Sequence, residues 1–124
     1  MASEWVRLCR TKDFSVDEPH IEVNVHDGRR HRITINDEGE SYRLSAFVVR
    51  QAVVSSVPDV PIQTWLRNRV MLLVGFRIDE RGRVVAEAWV PKAGLTQEEF
   101  QLYVRTVAVE SDRFEYALTG KDNE

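Results

Sequence analysis

Residues 72–90 read Leu72-Leu-Val-Gly-Phe-Arg-Ile-Asp-Glu-Arg-Gly-Arg-Val-Val-Ala-Glu-Ala-Trp-Val90. Leu72, Val74, Phe76 and Ile78 face one way, and Val84, Ala86, Ala88 and Val90 answer them with the same period of two. Matching the two rows pairs Ile78 with Val84 and Phe76 with Ala86. Glu80-Arg81-Gly82 is then a three-residue hairpin loop, which closes with a type I turn and a glycine bulge. Asp79 and Arg83 meet across its base. Trp89 falls on the outward row beside Glu87. Gly75 interrupts its strand, as glycine does where the backbone or ring of a neighbour comes close, for instance the indole of Trp89.

Downstream of this hairpin a helix is announced by Leu95-Thr96-Gln97-Glu98-Glu99-Phe100. Thr96 and Glu99 make a capping box, and Leu95 with Phe100 a hydrophobic staple. Helical periodicity continues through Phe100, Val104, Val107, Ser111, Phe114 and Leu118, and Gly120 is a natural stop. A helix of roughly 22 residues is ~33 Å long, enough to cross a sheet. A second stripe, Leu102, Val109 and Tyr116, repeats every seven residues on its other side.

Upstream, Ser55-Ser-Val-Pro-Asp-Val-Pro61 breaks the chain, and Asp59 and Pro61 open a short helix over about residues 60–69. Its apolar stripe is Ile62, Trp65 and Leu66. Earlier still the period is two again. Ile21, Val23 and Val25 alternate with polar residues, as do Ile33 and Ile35, then Tyr42, Leu44 and Ala46. Keeping these rows on one face pairs Val23 with Ile33 and Ile21 with Ile35, with Asp27-Gly28-Arg29 as the loop. It also pairs Tyr42 with Ile35 and Leu44 with Ile33, with Glu38-Gly39 as the next turn. The third strand loses its alternation at Phe47-Val48-Val49 and runs toward Val54, so it is expected to be covered on both faces. At the N-terminus, Ser3 caps a short helix joining Trp5, Leu8 and Cys9, and residues 15–19 read as a linker.

The order α-β-β-β-α-β-β-α predicts an α+β fold: one domain over residues 1–124, with an antiparallel sheet covered by the long C-terminal helix. A chain of 124 residues, 43% hydrophobic and 30% charged, has room for one such domain. With 17 basic and 20 acidic residues the net charge is −3, which lacks the basic field of a nucleic-acid binder. No apolar run reaches the ~18 residues of a membrane span, and no signal peptide is evident. The single cysteine, Cys9, forms no internal disulfide and no CxxC site. These features predict a cytoplasmic protein.

No motif carries chemistry. The six glycines are scattered, so no phosphate-binding loop exists, and no serine sits in a nucleophile elbow. His20 and His26 fall on the polar strand face and His31 at the end of the apolar one, with no carboxylate at metal-binding sequence spacing. Asp112 and Glu115 share a helix face and read as solvated. No catalytic residue, metal or cofactor is expected. Residues 60–94 hold six basic and three acidic residues and residues 95–124 seven acidic and three basic, a charge asymmetry suited to orienting two copies.

Apolar residues exceed what one small core needs. Trp65 and Leu66 on the short helix, Trp89 on the outward strand row, and Leu102, Val109 and Tyr116 on the long helix are the candidate partner or dimer interface. The competing cover for them is the N-terminal segment, through Trp5, Val6 and Leu8.

Residues 66–79 (Leu-Arg-Asn-Arg-Val-Met-Leu-Leu-Val-Gly-Phe-Arg-Ile-Asp) and 82–91 (Gly-Arg-Val-Val-Ala-Glu-Ala-Trp-Val-Pro), followed by Gly94-Leu95-Thr96, resemble the YbjN family. That family looks like the class I type III secretion chaperone (Tir chaperone, CesT-like) fold. The resemblance spans most of residues 20–120. It implies a non-enzymatic α+β protein, often a homodimer, that binds an extended segment of a protein partner, and it carries over no catalytic residue. The arginine-rich middle departs from the acidic habit of secretion chaperones. The alternative from a different class is a small-ligand regulatory domain for sensory transduction, its ligand held between sheet and long helix near Gly75, Phe76 and Trp89.

Overall fold

Four strands follow an N-terminal 3₁₀ turn (Glu4–Cys9): β1 (Phe14–Asp17), β2 (His20–His26), β3 (Arg29–Asp37) and β4 (Ser41–Val49). Two short helices, α1 (Gln51–Ser56) and α2 (Val60–Asn68), lead to β5 (Gly75–Ile78) and β6 (Val84–Pro91), and α3 (Gln97–Thr119) ends the fold. These elements come from a computed structural model that describes residues 4–26 and 28–120. Ser3, read as a helix cap, and Asp27, read as a loop residue, lie outside them.

The strands form one antiparallel sheet in the order β1-β2-β3-β4-β6-β5. One face carries the apolar rows: Ile21, Val23, Ile33, Ile35, Leu44, Ala46, Val84, Ala86, Ala88 and Val90 are all buried. α3 lies across this face against β2, β3, β4 and β6. Its buried stripe is the one its periodicity predicts, Phe100 through Leu118. Phe100 meets Tyr42 edge-on at 5.8 Å and Phe114 meets Phe76 at 4.9 Å between ring centroids. The capping box is formed: Thr96 Oγ1 accepts from the Glu99 N–H at 3.1 Å, and Glu99 Oε1 accepts from the Thr96 N–H at 3.1 Å.

The α+β order holds with two short elements added. Ser15, Val16 and Asp17, read as part of a linker, belong to the edge strand β1, in which Phe14 opposes Val23 and Val16 opposes Ile21. Four residues followed by Glu18-Pro19 are too few for alternation to show. The residues read as the run-out of the third strand form α1. β4 stops at Val49, and a bulge sets Phe47 opposite Val85 but Val49 opposite Val84. The extra residue turns both Val48 and Val49 into the core and leaves Phe47 exposed. A bulge, not a second covering layer, therefore explains the lost alternation.

The β5–β6 register is as read, with Ile78 opposite Val84 and Phe76 opposite Ala86. The other two hairpins sit two residues away from expectation. Ile21 opposes Ile33, Val23 opposes His31, and a bulge between Asn24 and His26 brings His26 opposite Arg29. Ile35 opposes Leu44 and Asp37 opposes Tyr42. A shift of two preserves every side-chain face, so the apolar pattern cannot see it. Turn chemistry can. The Glu38 N–H bonds to the Ser41 carbonyl, which makes Gly39-Glu40 the tight turn and puts glycine, at φ 95°, first.

Candidate protein interface

α2 is amphipathic, but its polar-looking side is the one that faces inward. Val60 and Thr64 are buried, Thr64 Oγ1 donating to the Val60 carbonyl. Ile62, Trp65 and Leu66 point to solvent, Trp65 with 60% of its surface exposed. Asp59 occupies the N-cap position at φ 58° without a side-chain capping bond. At the other end, Asn68 Oδ1 accepts from the Phe76 N–H and Asn68 Nδ2 donates to the Phe76 carbonyl, both at 2.8 Å. One amide thus satisfies a backbone unit on the open edge of β5 and pins α2 there.

The segment between α2 and β5 was expected to begin the strand, with Leu72 in its inward row. Instead β5 starts at Gly75, and Leu72 is 82% exposed. Val70 and Leu73 are exposed too, so exposed apolar residues continue along the chain beyond α2. The reason is local: Leu73 holds a left-handed φ of 72° that ends the alternation before Val74 turns inward.

The remaining predicted interface residues lie on two other surfaces. Trp89 is exposed on the outer face of the sheet, opposite α3, with the Arg43 guanidinium 5.8 Å from its ring centroid. Arg43 also reaches Glu87 at 3.4 Å, and Arg77 reaches it at 3.0 Å. Arg77, then Arg43, hold the Glu87 carboxyl below the usual carboxylate range. Leu102 and Tyr116 are exposed and Val109 half-buried on the solvent side of α3. The six residues therefore do not form one patch. Along the chain Trp65 and Leu66 run on into the exposed Val70, Leu72 and Leu73, the last two of which the strand reading had concealed.

The N-terminal segment covers none of these. Trp5 is buried 6.5 Å from Phe100, and the Leu8 carbonyl accepts from Gln101 Nε2 at 2.9 Å, so this turn packs on α3. Cys9 is buried within it, its thiol pushed up to about 12 by burial, which removes it as a nucleophile. Much of the charge asymmetry is spent locally. Arg67 stacks on Phe114, Arg69 on Trp65, and Arg83 binds Asp79 through Nη2 at 2.8 Å.

Gly75 and Trp89 lie on the opposite side of the sheet from Phe76, which packs against Phe114. The ligand cavity expected between sheet and helix is therefore not formed there; the depression that these three residues line opens on the outer sheet face instead. Nor does Trp89 crowd Gly75: a Cβ built on Gly75 meets nothing within 4 Å.

One polar cluster overturns a sequence reading. Asp112 and Glu115 face the sheet, not solvent, and Glu115 is only 3% exposed. Ligand atoms of His31, Asp112 and Glu115 lie within 4.8 Å of one another. Arg29 pairs with Asp112 and, at 3.6 Å, with Glu115, so a guanidinium already supplies the cation between the carboxylates. His31 Nε2 donates to the Phe47 carbonyl at 2.9 Å. Burial holds its imidazole below the ordinary value, against the opposing pull of that carbonyl and of Asp112.

No family model matches the chain, and no curated protein does. Among solved structures, a chain of the ExoU–SpcU heterodimer from the type III secretion system of Pseudomonas aeruginosa superposes with a TM-score of 0.67 at 14% identity, covering 98% of this chain and 100% of that one. A chain of the ExsC–ExsE complex gives 0.61 at 22% identity, covering 93% and 88%. A complex of the Yersinia pestis type III secretion chaperone SycH gives 0.53 at 7% identity, covering 94% of both. The fold is that of the type III secretion chaperones. No helix among the described residues is long and apolar enough to cross a membrane.

Proposed function

We propose that this protein is a non-enzymatic, chaperone-like adaptor that works as a homodimer in the cytoplasm and holds a segment of a protein partner. The observation that carries the reading is the run of exposed large apolar residues in one segment, Ile62, Trp65, Leu66, Val70, Leu72 and Leu73. A monomeric protein seldom leaves so many large apolar side chains of one short segment in water, and Trp is the residue type most enriched at interface centres. The likeness to chains of secretion chaperone complexes supports a protein partner over a small ligand. The proposed kinship with YbjN proteins rests on the resemblance of residues 66–79, 82–91 and 94–96. Trp65 and Leu66 are the proposed dimer contacts. Trp89, on the outer sheet face, is proposed for the dimer as well, and the Leu102, Val109 and Tyr116 stripe on the solvent side of α3 is proposed for the partner.

Solution mass by light scattering over a concentration series tests this on the wild type and on Trp65→Asp. The wild type is expected at twice the chain mass, and the variant at the chain mass with an unchanged far-UV circular dichroism spectrum. A wild type that stays monomeric at the highest concentration overturns the dimer.

A further inference from the structure

Gly75 is a glycine without a backbone reason. It does not adopt a positive φ, and a Cβ there meets nothing within 4 Å. It sits in a strand, opposite Glu87, where glycine weakens pairing. What its missing side chain does is leave open the floor of a depression of about 340 Å³ on the outer sheet face, between Leu73 and Trp89. Leu73 stands at one wall on a left-handed backbone, which leucine adopts only when its surroundings hold it there. Trp89 stands at the other wall under Arg43. The charges on the rim are already matched among themselves: Glu87 takes Arg77 and Arg43, Arg43 also takes Glu38, and Arg77 approaches Glu80 at 4.0 Å. The complement of such a rim is an uncharged, apolar side chain.

The chain carries that side chain three residues away. Leu72 is the most exposed of the large apolar residues and projects from the same segment. A two-fold dimer is self-complementary, so a knob and a hole on one segment meet twice, each copy giving one and receiving one. We propose that Leu72 of one copy fills the depression over Gly75 of the other, between Leu73 and Trp89. This rests on the dimer reading above and names its lock. It also explains why both a strained leucine and an unsupported glycine flank Leu72.

The test is the dimer dissociation constant, by analytical ultracentrifugation, of Leu72→Ala, Gly75→Val and the double variant. Because nothing crowds Gly75, valine there is expected to fold normally and to close the hole. Each single change weakens the dimer at least about tenfold, and the double variant is no weaker than the worse single one, since knob and hole are one contact. If Trp65→Asp splits the dimer while Gly75→Val leaves its dissociation constant unchanged, the lock is wrong and the dimer stands; a depression that instead receives a protein partner gives this result. Additive effects of the two changes also overturn the lock. A monomeric wild type removes the dimer reading and the lock together.

Discussion

α3 and α2 are both amphipathic helices, yet one hides its apolar face and the other displays it. α3 lays Phe100, Val104, Val107, Phe114 and Leu118 on the sheet. α2 turns only Val60 and Thr64 inward and sends Ile62, Trp65 and Leu66 out. Periodicity reports that a face exists; it does not report what covers it. For α3 the cover is intramolecular, because 23 residues span a sheet whose inner rows are apolar. α2 has nine residues and stands beside the edge strand β5, held by an asparagine amide. A helix with that geometry contributes little core and much surface. The same chemical pattern thus serves folding in one place and association in another.

The largest effect expected from this contrast is on stability. Phe114→Ala, made in the monomeric Trp65→Asp background so that dimer linkage does not intrude, should cost about 3–5 kcal/mol in urea unfolding. It empties a site 1% exposed and abandons the ring contact with Phe76. Leu66→Ala in the same background should stay within ~0.5 kcal/mol, as exposed positions do. Comparable losses from the two would break the comparison, by showing that α2 is covered within the single chain.

A smaller effect separates polar from apolar attachment. Asn68→Ala removes the two hydrogen bonds that close the β5 edge at Phe76 and should cost about 1–3 kcal/mol. It also bares a strand edge, so loss of solubility should accompany it. A fully stable, soluble variant would mean that α2 is held by something other than this clamp.

Much of this architecture was legible in the residues, and the misses have physical causes. Gly82 and the two apolar rows determine the β5–β6 register because a three-residue loop leaves no freedom. The β2–β3 and β3–β4 registers slip by two because face alternation constrains only parity. α1 was hidden because Ala52, Val53 and Val54 continue a strand-like run. The exposed segment was half visible: Ile62, Trp65 and Leu66 stood out, whereas Leu72 and Leu73 were absorbed into an alternation that the φ of Leu73 interrupts, and Val70 fell between the two elements. The cluster of Arg29 with Asp112 was invisible to any spacing rule, its members lying 83 positions apart.

That cluster sharpens the comparison, because it makes the attachment of α3 partly titratable while that of α2 is not. His31 lies among Arg29 on β3 and Asp112 and Glu115 on α3, with Glu22 on β2 and the Phe47 carbonyl on β4 beside it. Burial keeps the folded imidazole below the ordinary value, and the unfolded chain returns it to about 6.5. Between those two values the unfolded state binds the extra proton. The stabilising contribution is therefore complete above about pH 6.5 and is lost as pH falls toward the folded value. The slope cannot exceed ~1.36 kcal/mol per pH unit for one proton. Asp79, held below the carboxylate range by Arg83, and Glu87, held there by Arg77, act in a lower window, with their contributions lost as pH falls below about 4. Unfolding free energy measured from pH 7 to pH 5 should thus fall in the wild type and stay flatter in His31→Gln. Amide protection factors, taken relative to the intrinsic exchange rate at each pH, should fall in the C-terminal half of α3 over the same interval while those of α2 do not respond. Parallel profiles for the two proteins would mean that the imidazole lies in water and that the cover of α3 is apolar throughout.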